Sequence, residues 1–162
     1  MQEWAASVMT LTTDQDLPFW LTGGTFLRGW ALAAQGQVAE GVAQIRQGWS
    51  AYQALGAGIV RSYLLTLLAE AYRNGGQITE GLAAVAEALV TVKETGERFY
   101  AAELYRLQGE LLLQSGAQGP KSGNVTRQAA EAETCLRQAL DMARHQQAKS
   151  LELRAATSLS CL

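Results

Sequence analysis

The chain repeats itself every 40 residues. Gly36-Gln37 returns as Gly76-Gln77, Glu40-Gly41 as Glu80-Gly81, and Gly56 as Gly96. The stretch GQVAEGVAQIRQG aligns without a gap on GQITEGLAAVAEA. A period of this size marks one supersecondary unit that cannot bury its apolar face alone and has to stack on its neighbours. A third copy starts near Phe99, with its second half displaced by 11 residues, so that Glu131-Ala132 matches Glu80-Gly81 at an offset of 51. The extra residues fall in GAQGPKSGNVTR, residues 116–127, whose Gly, Pro, Ser and Asn content predicts a loop insertion.

Each copy holds two helical patterns. Val38, Gly41, Val42, Ile45, Gly48, Trp49 and Tyr52 recur at helical spacing, and Ile78, Gly81, Leu82, Val85, Ala88, Leu89 and Val92 occupy the same places 40 residues on. Ala132, Leu136, Ala139, Leu140 and Ala143 continue the series. First halves behave alike, with Leu64, Leu67, Leu68 and Ala71 in one copy and Leu104, Leu107 and Leu111 in the next. This is the 3.6-residue period of one buried helix face, not strand alternation. The fold class is therefore all-α, built from antiparallel helix pairs.

Sixteen Gly beside only 2 Pro is unusual in a chain this rich in helix formers. The repeat sorts them into two kinds. Gly36, Gly75, Gly76 and Gly116 follow helical runs, where a residue with positive φ stops a helix. Gly41, Gly48, Gly81 and Gly109 lie inside helices on the apolar face, each costing about 1 kcal/mol of helix propensity against Ala. Close approach of a neighbouring helix is the compensation expected.

These features resemble the tetratricopeptide repeat. Leu68-Ala69, Tyr72, Gly76, Gly81, Val85 and Ala88 match that family's spacing in the second copy, and Gly29, Leu32, Gly36, Gly41, Ile45 and Gly48 do so in the first. In the third, Tyr105, Gly109 and Leu112 are followed by Ala132, Leu136 and Ala139 beyond the insertion. Aliphatic residues replace several family aromatics, and the 40-residue period exceeds the usual 34, which implies longer helices. Stretches such as LLTLLAEAYRNGGQITEGLAAVAEAL and RFYAAELYRLQGELLL resemble the C-terminal helical-repeat regions of bacterial cyclase-like and NTPase signalling regulators.

The resemblance implies a right-handed superhelix (solenoid) of about eight helices in a single domain, residues 1–162. It divides into a half repeat 1–16, repeats 17–56, 57–96 and 97–148, and a half repeat 149–162. Each half repeat lacks its partner helix, which predicts either a larger parent protein or self-association through the terminal helices.

The family's groove positions carry over to Phe26 and Trp30 in the first copy, and to Tyr63, Thr66, Glu70, Arg73 and Asn74 in the second. They fall on Glu103, Arg106, Glu110 and Gln114 in the third and on Arg154 and Thr157 in the last helix. Three arginines, an indole and several carboxylates on one surface suit an extended peptide of mixed charge. The alternative is an ordinary solvated face with intrahelical pairs, Glu103 with Arg106 and Arg106 with Glu110. Thr66 and Glu70 stand where some chaperone-binding members hold a carboxylate with Lys, Asn or Arg.

Other chemistry has little support. A net charge of −2 and a pI near 5.4 argue against a nucleic-acid partner. No apolar run reaches membrane-spanning length, and Met1–Thr10 lacks the pattern of a signal peptide. With two cysteines, Cys135 and Cys161, a reducing cytoplasm is the simpler location. His145 is the one histidine, at a helix end, where it suits the helix dipole. GAQGPKSG departs from a phosphate-binding loop, because Pro120 interrupts it and no strand precedes it. Asn124-Val125-Thr126 is a formal glycosylation sequon without a secretion signal. Neither catalytic residue, metal site nor cofactor is expected. The sequence reads best as a non-enzymatic protein–protein interaction module, regulatory or scaffolding. Small-ligand sensing within a bacterial signalling protein is the alternative, as is an oligomerisation unit.

Overall fold

A computed structural model describes residues 2–14, 17–56, 58, 60–118 and 124–162. Among these there are eight α-helices and no strand. They are α1 Gln2–Asp14, α2 Pro18–Ala34, α3 Val38–Ala54, α4 Arg61–Asn74, α5 Ile78–Thr95, α6 Ala101–Gln118, α7 Asn124–His145 and α8 Lys149–Ser160. Pro18 opens α2, where its fixed φ suits a first helical turn and its missing N–H is not needed.

Helices α2, α4 and α7 stop in the same way. The amide of Gln77 donates to the Tyr72 carbonyl at 3.0 Å, and those of Gln37 and Ala148 donate to Leu32 and Ala143 at 3.0 and 2.9 Å. This closure needs a left-handed residue one position earlier. Gly76 supplies it at φ 67°, and Gly36 at φ 88°. The third helix uses Gln147 at φ 55°, a residue with a Cβ. Gly75 acts differently from the expectation. Its φ is −88°, and a Cβ there would lie 2.5 Å from Val38 Cγ1, so it makes room for α3.

The loop expected over 116–127 is shorter than that. Helix α6 runs through Gly116 to Gln118 and α7 already starts at Asn124. Gly116 faces Gln128, and Arg127 pairs with Glu131 at 2.9 Å one turn on, so packing and an i,i+4 pair extend both helices into a stretch of loop-like composition. Residues 119–123, with Pro120 and Lys121, lie outside the described residues.

Consecutive helices pack as antiparallel pairs. Early residues of one meet late residues of the next: Gly29 faces Gly41 and Ile45, whereas Phe26 faces Gly48. Gly81 likewise lies against Tyr72 and Leu111, and Gly109 against Ala132 and Leu136. These are the close crossings that the interior glycines led us to expect. A continuous core of Phe26, Ile45, Tyr52, Leu68, Val85, Leu107 and Leu111 runs from α2 to α6.

Even-numbered helices α2, α4, α6 and α8 also contact one another in succession, while the backbones of the odd-numbered helices do not approach one another among the described residues. The result is a layer of even helices in mutual contact, which carries the candidate site, with the odd helices packed against it.

Candidate functional site

Helical spacing brings polar side chains of the even layer to one place. Trp30 of α2 and Glu70 of α4 stand one repeat apart, and the indole Nε1–H donates to Glu70 Oε2 at 2.7 Å. Glu103, Arg106 and Glu110 lie three and four residues apart on α6 and so share one face. Arg106 donates to both oxygens of Glu103, at 2.9 Å from Nε and 2.6 Å from Nη2, and its Nη1 binds Glu110. Arg73 of α4 binds the other oxygen of Glu110 and lies 3.8 Å from Glu70. From α8, Arg154 Nη2 reaches Glu70 at 3.2 Å and Glu103 at 2.8 Å, and the Ser158 hydroxyl donates to Glu110 at 2.6 Å.

Three arginines and three glutamates thus form one connected network across α4, α6 and α8, tied to α2 by an indole. Its formal charges cancel. Glu103 and Arg106 are almost completely buried, with side chains 2% and 4% exposed. Burial disfavours a charged Arg106, but bonds and charges from Glu103 and Glu110 outweigh it and hold its pKa above the usual value. Burial likewise pushes the Glu110 carboxyl up, and Ser158, Arg106 and Arg73 more than reverse that, leaving it below its ordinary value.

Above this network lies a cleft of about 200 Å³. Leu27, Trp30, Tyr63, Leu67 and Tyr100 supply its apolar lining, and Glu70, Glu103 and Arg154 its charged groups. Tyr63 and Tyr100 meet edge-to-face at 4.8 Å. Both phenols are pushed to higher pKa, chiefly by burial and then by Tyr100 and Glu70 around Tyr63, and by Glu103 around Tyr100. Larger clefts lie between α2 and α3 (about 290 Å³) and between α3 and the α4–α5 turn (about 500 Å³). The first is lined by no charged side chain and the second only by Arg46.

Of the residues expected in a groove, Trp30, Glu70, Arg73, Glu103, Arg106, Glu110 and Arg154 come together in the network. Tyr63 and Thr66 join them at the cleft, although Thr66 is 1% exposed and donates to the Ser62 carbonyl at 2.7 Å. Asn74 is exposed beside Arg73. Gln114 and Thr157 border a separate shallow cleft with Glu110 and Ser158.

Phe26 is a correction. It is fully buried, edge-on to Trp49 at 6.3 Å, and fills the space that Gly48 leaves. It shares the α2 face of Thr22 and Gly29, which is directed at α3 and not at the even layer. Both intrahelical pairs weighed for α6 are formed, but within a buried network and not on a solvated face. Leu27, Leu67, Tyr100 and Ser158 were missed. Tyr100 precedes α6 and carries no helical periodicity. Its one signal is its place in the aromatic pair Phe99-Tyr100, 37 residues after Tyr63.

No protein-family model matches this sequence, and no curated protein is detectably similar to it. Cys135 is half-buried, its thiol pushed up by burial and by Glu131, while Cys161 is exposed. His145 is exposed at the end of α7. Among the described residues no three His, Cys, Asp or Glu side chains cluster as metal ligands, and no helix is long and apolar enough to cross a membrane.

Proposed function

We propose that this chain is a tetratricopeptide-like, right-handed helical stack that works as a non-enzymatic protein–protein interaction module. Its even-helix face receives a segment of a partner protein or peptide, in a regulatory or scaffolding role within a cytoplasmic bacterial signalling system. The observation that carries this reading is the cleft whose aromatic and charged lining is drawn from all four even helices or the turn leading into them. Aromatic walls around a few oriented charges are the composition of interface anchor sites. Its volume, about 200 Å³, falls below the ~300–1,000 Å³ of small-molecule pockets, which favours one side chain of a longer ligand over a free metabolite.

The reading is tested by affinity capture with the wild type and a Trp30→Ala/Tyr63→Ala variant of unchanged helicity. Loss of the same partners in the variant supports it, whereas identical capture by both proteins removes the cleft from recognition.

A specific observation favours self-association as a second reading. Trp4, Leu11 and Trp20, on α1 and α2, are 77%, 61% and 61% exposed. Sedimentation of the wild type against Trp4→Lys/Leu11→Lys tests it. A concentration-independent monomer in both removes this role.

A further inference from the structure

Arg154 is held unlike the other two arginines of the network. Arg106 is 4% exposed and spends Nε, Nη1 and Nη2 on hydrogen bonds. Arg154 is 42% exposed and makes both of its carboxylate contacts through Nη2 alone. It enters from α8, at the edge of the cleft, and its guanidinium bridges two carboxylates on different helices, Glu70 and Glu103.

Without Arg154 the site changes character. Three carboxylates then face two arginines. Glu103 keeps its forked contact with Arg106, and Glu70 keeps the Trp30 indole, but one negative charge is uncompensated beside Trp30, Tyr63 and Tyr100. A mostly buried carboxylate in excess within an aromatic-walled cleft is the environment that a planar guanidinium fits, by forked hydrogen bonds and by lying against rings. The cleft has room for about one such side chain and is too small for a larger ligand.

We propose that this cleft is an arginine-recognition site, that Arg154 compensates its carboxylates in cis from the rim, and that an arginine side chain of a partner segment takes over those carboxylates from Arg154 on binding. The inference rests on the reading of this face as a peptide-binding groove and names the chemistry that it selects. Displacement exchanges one guanidinium for another. Arg154 is 42% exposed and regains hydration on release, while the incoming guanidinium takes over the compensation of Glu70 and Glu103, which are 13% and 2% exposed. An incoming arginine laid along the cleft presents all of its donors, whereas Arg154 presents one nitrogen from the rim.

The experiment uses the full chain, with short blocked peptides carrying one central arginine, lysine, citrulline, glutamate or alanine. Binding is followed by calorimetry and by the indole N–H resonance of Trp30. The arginine peptide is expected to bind Arg154→Gln about fivefold more tightly than the wild type, because the cis competitor is gone. The citrulline peptide, equal in shape but neutral, should gain nothing. Adding Glu70→Gln should abolish the gain, and thermal unfolding of each variant verifies its fold. Equal arginine affinity in wild type and Arg154→Gln, or an equal gain for citrulline, overturns the proposal. If glutamate or alanine peptides move the Trp30 resonance while arginine does not, the groove reading stands and the arginine preference falls. If no peptide moves it in either protein, both fall.

Discussion

Gly29 and Gly41 lie backbone to backbone where α2 crosses α3. A Cβ on Gly29 would sit 2.7 Å from the Gly41 carbonyl oxygen, and a Cβ on Gly41 would sit 2.5 Å from that of Gly29. Neither obstacle is a flexible side chain that could move aside. The two helices are therefore as close as main chains allow, and the helix propensity given up at both positions is exchanged for that contact.

Gly41→Ala should destabilise the fold by about 2 kcal/mol, since overpacking against backbone outweighs the ~1 kcal/mol propensity gain. Gly23→Ala, on the neighbouring helix α2 with nothing within 4 Å of the added Cβ, should stabilise it by ~0.4–1 kcal/mol. Urea unfolding midpoints check both. Equal shifts of one sign would remove close approach as the reason for the interior glycine.

Gln147 adopts the left-handed conformation that Gly76 and Gly36 adopt at the same helix closure. Gln147→Gly should raise stability by about 1 kcal/mol, the strain of that conformation for a residue with a Cβ less the added freedom of the unfolded chain. A lower melting temperature in the variant would contradict this.

Arg106 neutralises Glu103 where both are nearly inaccessible. Arg106→Ala leaves that carboxylate buried with only Arg154 to face it, so a loss of ~3–5 kcal/mol is expected. The double change Glu103→Leu/Arg106→Met removes both charges and should recover most of it. Chemical denaturation of the three proteins measures the difference. A double variant no better than Arg106→Ala would show that the pair matters for more than mutual neutralisation.

Glu110 gives the network a pH dependence. Its folded pKa lies below the ordinary 4.5, so the unfolded chain binds its proton more readily. The stability it contributes is complete above 4.5 and is lost as pH falls through the lower folded value. Unfolding free energies taken across acid pH should therefore fall more steeply for the wild type than for Glu110→Gln, and the two curves should converge at the acid end. Parallel curves would exclude Glu110 as the source.

Much of the scaffold was legible because it is written at fixed spacings. The i,i+3 and i,i+4 relations of Glu103, Arg106 and Glu110 fix their pairing on any helix, and the 40-residue offset already aligned Trp30 with Glu70. The interior glycines at 41, 81 and 109 announced crossings that only a missing Cβ permits. What failed was local composition read without packing. Gly116 and its neighbours look like loop but remain helical against Gln128. Phe26 looked like a groove aromatic until the space left by Gly48 was visible. The meeting of Arg154 with Glu70, 84 residues apart, leaves no trace in either local sequence. It depends on how two helix pairs and α8 are set side by side.

That setting has a mechanical side. Among the described residues the odd-numbered helices make no backbone contact with one another, so each helix pair is held to the next through its even helix, which meets both the preceding odd helix and the preceding even one. A change of angle between successive pairs is therefore felt wherever even helices cross. Glu70, Glu103 and Arg154 sit on three even helices in succession, α4, α6 and α8. The distances among their charged groups are consequently a direct gauge of how those helices are angled to one another.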